Sequence, residues 1–192
     1  MSGQIDDTIK FNNFELSIIK TSERLNLDFP KYGIIPEEIS SDCHRGFWCI
    51  CNITDDDLFL EDLYIHSKDN YYPEIEGIAP LSENEYSFGD YRLYKGLHLK
   101  LNYTGMILAG DGFLREYYIH TWFQWPWAYT KLTELVFSDG HLIETIDQSR
   151  IATDIRKRID TDSALAQKAN LGLLSFLSGF NPSDLNPDVW WL

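Results

Sequence analysis

The sequence predicts an α+β fold: an antiparallel β-rich body of about seven to nine strands, followed by two C-terminal helices. Three observations carry this. Short β-branched and aromatic runs, bounded by Asn, Asp and Gly pairs, fill the chain as far as Asp147. The apolar period then changes from two to about 3.6, with Ile151, Ile155 and Ile159 falling at i, i+4 and i+8. Strands first and helices after is the order of an α+β domain rather than of alternating βαβ units.

The opening runs, Thr8 to Asn12 and Phe14 to Lys20, form a hairpin joined at Asn12-Asn13, because Asn tolerates the positive φ of a tight turn. Residues 21–44 carry Pro30, Gly33, Pro36 and Glu37-Glu38 and are loop, or a short helix entered after Pro36. Phe47 to Thr54 is apolar on both faces, which suits a central strand. Asp55-Asp56-Asp57 turns the chain, and Leu58 to His66 returns as the second strand of a hairpin. Residues 67–95, with Pro73, Gly77, Pro80 and Gly89, are irregular. Leu97, Leu99, Leu101 and Tyr103 alternate with His98, Lys100 and Asn102, the pattern of a strand with one wet face. Met106 to Ala109 stays extended, Gly110-Asp111-Gly112 makes a turn, and Phe113 to Phe123 is a long strand. Lys131 to Phe137 and Leu142 to Ile146 flank Asp139-Gly140, a strong two-residue hairpin signal.

The first helix starts at a cap on Asp147 or Ser149. A second opens at Thr161 or Asp162, presents Leu165, Ala169, Leu173, Phe176 and Leu177 on one face, and ends at Gly179. The chain is thus one domain over 1–192, with a β-rich body at 1–147, a helical segment at 148–180 and a tail at 181–192. That tail ends in Trp190-Trp191-Leu192. Two tryptophans left in water forgo about 2 kcal/mol or more each, so the tail is expected to dock, either on its own core or on a second copy as a homodimer.

With 192 residues, the chain can bury a core without staples. Lys and Arg number 16 against 30 Asp and Glu, a net charge of −14, which repels phosphate and argues against nucleic-acid binding. Met1 to Ile9 holds Asp6 and Asp7 and no apolar run, so no secretory signal is expected. The longest apolar stretch, Leu171 to Phe180, is broken by Gly172, Ser175, Ser178 and Gly179. It falls short of the ~20 residues of a membrane span, and the expected location is cytoplasmic. Cys43, Cys49 and Cys51 suit buried reduced thiols acting as small hydrophobes. Zinc needs a second ligand pair, and only His44 lies nearby, so neither metal nor cofactor is expected.

Two features could carry function. Between Thr54 and Asp90 stand eleven carboxylates and one base, Lys68. This stretch either steers a basic protein partner, with Asp55, Asp56, Asp57, Glu61 and Asp62 as contacts, or is a solvated face that keeps the protein soluble. The run from Trp122 to Tyr129 holds Trp122, Trp125 and Trp127 close to His120. It is either a stacking platform for a small ligand or carbohydrate, or core packing bent by Pro126. The five histidines are scattered singly, and no nucleophile elbow, zinc-protease or phosphate-loop spacing occurs. No catalytic residue is assigned, and an enzyme of unrecognised type is the weaker alternative.

Tyr103-Thr104-Gly105, Tyr117-Tyr118-Ile119-His120, Glu134-Leu135 and the Asp139-Gly140 turn, together with Arg45-Gly46-Phe47-Trp48, resemble small uncharacterised bacterial proteins associated with polymorphic toxin loci. The resemblance covers about half the chain and rests on turn and aromatic positions. It implies an antiparallel β-rich domain and an immunity-like binding role, and it supplies no active-site residues. The combined expectation is a non-enzymatic, acidic binding protein that occludes a basic protein partner through the 54–90 face.

Overall fold

A computed structural model describes residues 3–81, 89–120 and 123–161. Among these described residues, nine strands and one α-helix follow in order: β1 (Thr8–Phe11), β2 (Phe14–Thr21), β3 (Phe47–Thr54), β4 (Asp57–Ile65), β5 (Arg92–Tyr94), β6 (Leu99–Lys100), β7 (Gly105–Phe113), β8 (Tyr129–Ser138), β9 (His141–Asp147) and α1 (Ser149–Thr161). The sheet is β-rich and mostly antiparallel, as expected, with β1 and β3 running parallel. The second expected helix and the docking tail fall on residues outside those described.

Three hairpin turns form where local chemistry puts them. Asn12 and Asn13, Asp55 and Asp56, and Asp139 and Gly140 all have positive φ, the backbone of a two-residue turn that matches strand twist. Pairing then runs β3–β1–β2–β7–β8–β9–β4 and returns from β4 to β3, so seven strands form a closed ring. On its other edge β4 pairs in turn with β9 at Asp57, with β6 at Phe59 and Leu60, and with β5 from Leu63 to Ile65. Inside the ring lies an apolar cluster fed by alternate residues of six of its strands, Ile9, Leu16 and Ile18, Cys49 and Cys51, Leu58 and Leu60, Ile107, and Leu135 and Phe137, with Leu142 of β9 packed partly buried against it. The cysteines of β3 are buried free thiols in this interior.

The α-helix covers the outer face of β8. Ala152 packs with Ile19, Leu108 and Leu132, while Ile155 and Ile159 pack with Trp127. The Asp147 carboxylate accepts from the Ser149 backbone N–H at 2.9 Å and starts the helix. Ser149 Oγ is used elsewhere, accepting from the Leu132 N–H at 3.1 Å. Arg156 donates to the Trp127 and Tyr129 carbonyls at 3.1 and 2.6 Å, tying the helix to the start of β8.

Several expectations need correction. No helix follows Pro36; a 3-10 turn at Phe29–Tyr32 precedes it, and Pro36 bridges to Ser67. The Leu97–Tyr103 alternation does record burial, since Leu97, Leu101 and Tyr103 are buried. Only Leu99–Lys100 joins a ladder, because His98 takes a φ of 47° and turns the backbone out of line. Gly110-Asp111-Gly112 is not a turn, and β7 runs through it. A Cβ on Gly110 would lie 2.6 Å from Ile19 and from the Tyr129 ring, so this glycine serves close packing. The long strand expected over Phe113 to Phe123 ends at Phe113 and gives way to a 3-10 turn at Arg115–Tyr117.

Ring closure between β4 and β9 is thin. It rests on the Leu58 N–H donating to the Gly140 carbonyl at 2.8 Å and the Leu142 N–H donating to the Asp56 carbonyl at 2.7 Å. Gly140 also has a φ of 81°, and a Cβ there would fall 2.2 Å from the Leu101 carbonyl oxygen. Gly140→Ala is therefore expected to lower stability by about 2 kcal/mol or more, read as a lower midpoint in equilibrium urea unfolding.

Candidate functional site

The acidic stretch divides into carboxylates that face water and carboxylates that hold the fold. Asp55 and Asp56 are exposed at the β3–β4 turn. Asp57, one residue further, sits at the seam: its carboxylate accepts from Lys100 Nζ at 2.6 Å and meets His141 Nδ1 at 3.1 Å. The Lys100 and His141 hydrogen bonds hold its carboxyl below the usual range. Glu61 is the extra residue of a β-bulge in β4, half-buried, with its carbonyl accepting from the Leu97 N–H at 2.7 Å. Asp62 is buried and accepts from the Gly96 N–H at 2.8 Å, pinning the turn that leads into β6. Asp57, Glu61 and Asp62 are thus engaged within the fold, and Asp55 and Asp56 are presented outward.

The two hairpin tips bonded across the ring closure set the exposed Asp139 in the same neighbourhood as Asp55 and Asp56. Glu76, also in the acidic stretch, bonds Lys31 and Tyr32 at 2.6 Å each. Asp69, Glu74 and Asp90 are exposed.

The aromatic run is split. Trp125 and Trp127 stack with ring centroids 4.9 Å apart and planes 8° apart. Trp127 is only 1% exposed and packs with Ile155 and Ile159 of α1, so it offers no face to a ligand. His120 is exposed and near Tyr118, and Trp122 lies outside the described residues. Of the described members, Trp127 is therefore core, Trp125 is half-buried against it, and His120 is exposed.

A cleft that sequence reasoning did not single out opens beside β2. Its volume is about 1030 Å³, and β2, the loop that follows it, the segment leading into β3, and Phe123 wall it. Its floor is an ion pair. Arg45 donates to both Asp7 oxygens at 2.8 and 2.9 Å, and Asp7 Oδ1 also accepts from the Cys49 N–H at 2.8 Å. The Arg45 guanidinium lies over the Phe47 ring at 4.8 Å and the Phe123 ring at 5.5 Å. Burial disfavours its charge, yet the Asp7 carboxylate beside it outweighs that and holds the guanidinium firmly protonated.

Lys20 enters the same cleft from β2, and burial draws its amine down to about 8. Next to Asp7, Asp6 Oδ1 is buried without a hydrogen-bond partner among the described residues, while Oδ2 accepts from the Tyr129 hydroxyl at 3.2 Å. Burial pushes the Asp6 carboxyl up to about 6, the Tyr129 bond opposes this, and the Asp7 charge adds to it. The one sequence signal for the cleft is Lys20, a cation directly after Ile18 and Ile19, which are buried in β2.

No family model, curated protein or solved structure matches the chain.

Two outcomes follow from this chemistry. Asp7→Ala leaves the half-buried Arg45 and the Cys49 N–H without their carboxylate partner and is expected to cost about 2–4 kcal/mol, measured by urea unfolding. Asp6 behaves oppositely. Its folded value near 6 lies above the ordinary 3.8, so its stabilisation is complete below about 3.8 and is lost as pH rises through 6. Asp6→Asn should therefore raise stability at pH 7.5 by roughly 2 kcal/mol. Thermal melts of the variant and the parent should converge near pH 4.

Proposed function

We propose that this protein is a non-catalytic binding protein that occludes a basic protein partner with its acidic face, in the immunity-like manner its sequence resemblance implies. The observation that supports this is the pair of bonded hairpin tips. Asp55, Asp56 and Asp139 are exposed, each in a left-handed turn, and two backbone hydrogen bonds between the tips, at 2.7 and 2.8 Å, hold those turns together. Carboxylates fixed on a braced backbone lose little freedom when a cation arrives, which favours association. The net charge of −14 supplies the longer-ranged attraction. Charge complementarity of this kind acts mainly on the rate of encounter and on partner choice.

The test uses Asn as the replacement, because Asn keeps the positive φ of the turns while removing the charge. The triple variant Asp55→Asn, Asp56→Asn, Asp139→Asn should fold as the parent does. In affinity capture from the source organism's lysate, the parent should retain a basic protein at ~50 mM salt and release it at ~500 mM. The variant should associate with that captured protein roughly three- to tenfold more slowly at low salt, measured by surface plasmon resonance. An unchanged association rate, or salt-independent retention, defeats the proposal.

A further inference from the structure

β9 is paired along one edge and open along most of the other. It bonds β8 from His141 against Ser138 to Asp147 against Thr133, but it meets β4 only where Asp57 faces His141. In an antiparallel ladder, successive residues turn their backbone groups to alternate edges. The Gln148 N–H donates to the Leu132 carbonyl of β8 at 2.9 Å, so Ile146 also turns toward β8, while Thr145 and Asp147 turn away from it. From the other end, the Leu142 N–H points away from β8 to reach the Asp56 carbonyl at the seam. Past the seam, no described residue bonds the outward N–H and C=O groups of Thr145 and Asp147. Ile143, Glu144, Thr145 and Asp147 are exposed, Ile143 to 60%.

An open edge invites pairing unless Lys, Pro or a bulge discourages it. Residues 139–147 hold no Lys, Arg or Pro, and three carboxylates, Asp139, Glu144 and Asp147. One bulge, at Ile143, interrupts the β8 register and leaves the stretch beyond it regular. The cations nearest in the fold are engaged: Lys100 and His141 meet Asp57, and Arg150 pairs with Asp154 at 3.8 Å. The edge is thus defended by charge of a single sign. Such a defence repels an acidic strand, including β9 of a second copy of this chain with its net charge of −14, and it attracts a basic one.

We propose that the β9 edge from Ile143 to Asp147 takes an extended, basic segment of the protein partner as an added strand. For the partner's charge this rests on the acidic-face reading above, and it adds the form in which the partner is held. The outward groups of Thr145 and Asp147 supply the main-chain bonds, and Glu144 lies beside the cationic side chains of the incoming strand. The Asp139-Gly140 turn leads directly into β9, so a partner drawn to Asp55, Asp56 and Asp139 arrives at the head of this edge. The ladder to β8 already holds β9 extended, which leaves little order to be created on binding.

The probe is a capped nonapeptide alternating Lys and Val, titrated calorimetrically into the full chain. Two controls share its length: one alternates Glu and Val, and one alternates Lys and Pro, which keeps the charge but cannot donate the strand bonds. The Lys-Val peptide should bind with a Kd between about 10 μM and 1 mM at ~50 mM salt, and neither control should bind measurably. Amide exchange at Thr145 and Asp147 should slow by about tenfold or more when the Lys-Val peptide is added. Thr145→Pro removes one outward N–H at an edge position where proline is tolerated. It should fold as the parent does and weaken the peptide about tenfold or more. If Thr145→Pro unfolds, the amide exchange of the parent decides alone. No binding of the Lys-Val peptide at ~5 mM, equal binding of the Lys-Pro peptide, unslowed exchange at Thr145 and Asp147, or unchanged affinity in folded Thr145→Pro overturns the proposal. So does a parent that sediments as a dimer and a Thr145→Pro variant that sediments as a monomer, since a second copy then fills the edge. The acidic-face reading fails separately, through an unchanged association rate in the triple Asn variant, which leaves β9 intact.

Discussion

The Asp7–Arg45 pair organises the rest of the structure. Asp7 stands just before β1, and its backbone carbonyl accepts from the Ile18 N–H at 2.8 Å while its side chain accepts from the Cys49 N–H and from Arg45. One residue thereby bonds β2 on one side and β3 on the other, and fixes where β1 enters between them. The parallel β1–β3 register, Thr8 against Ile50, starts from this point. A parallel pair has no tight turn to set its register, so a side chain reaching across to a strand N–H does what a hairpin loop does elsewhere. The same guanidinium that satisfies Asp7 forms the floor of the cleft, so strand alignment and cleft shape share one cause.

The ring is unequal around its circumference. β7 and β8 pair from Gly105 against Phe137 to Phe113 against Tyr129, whereas β4 meets β9 at Asp57 and His141 alone. Asp57 strengthens that thin contact by engaging both Lys100 of β6 and His141 of β9. Because its carboxyl is held below the ordinary value, its contribution is complete above that value and is lost only as pH falls through the lower, folded one. The acid stretch is thus partly a structural device. Three consecutive aspartates share a composition and divide the labour, with two in the turn exposed and the third in the seam.

What was legible in the sequence is what local chemistry determines. Asn12-Asn13, Asp55-Asp56-Asp57 and Asp139-Gly140 were readable as turns, because a positive φ is a property of a few adjacent residues, although Asp57 itself already belongs to β4. The helix over Ile151, Ile155 and Ile159 was readable from its spacing, and its cap to within Asp147 or Ser149, of which Asp147 takes the role. Ring closure, the parallel pairing of β1 with β3, and the cleft were not, since each depends on residues far apart in the chain, such as Asp7 with Arg45 or Asp57 with His141. Glycine misled at Gly110, where the missing side chain answers a packing need rather than a turn. Tryptophan was ambiguous for a different reason: a large ring has the same composition signature whether it faces solvent or a helix, and only the placement of Ile155 and Ile159 decides for Trp127.

The thin seam also has a meaning for synthesis. The residues that meet across it, Asp57 and His141, are 84 positions apart, and β9 is the last strand described. A growing chain that has emerged only as far as Ser138 holds β8 without its β9 partner and β4 without its closing contact, and so carries two open backbone edges at once. Such edges pair with whatever extended chain is near. The ring therefore protects itself only on completion, and until β9 emerges its open edges are available for pairing with strands of neighbouring copies.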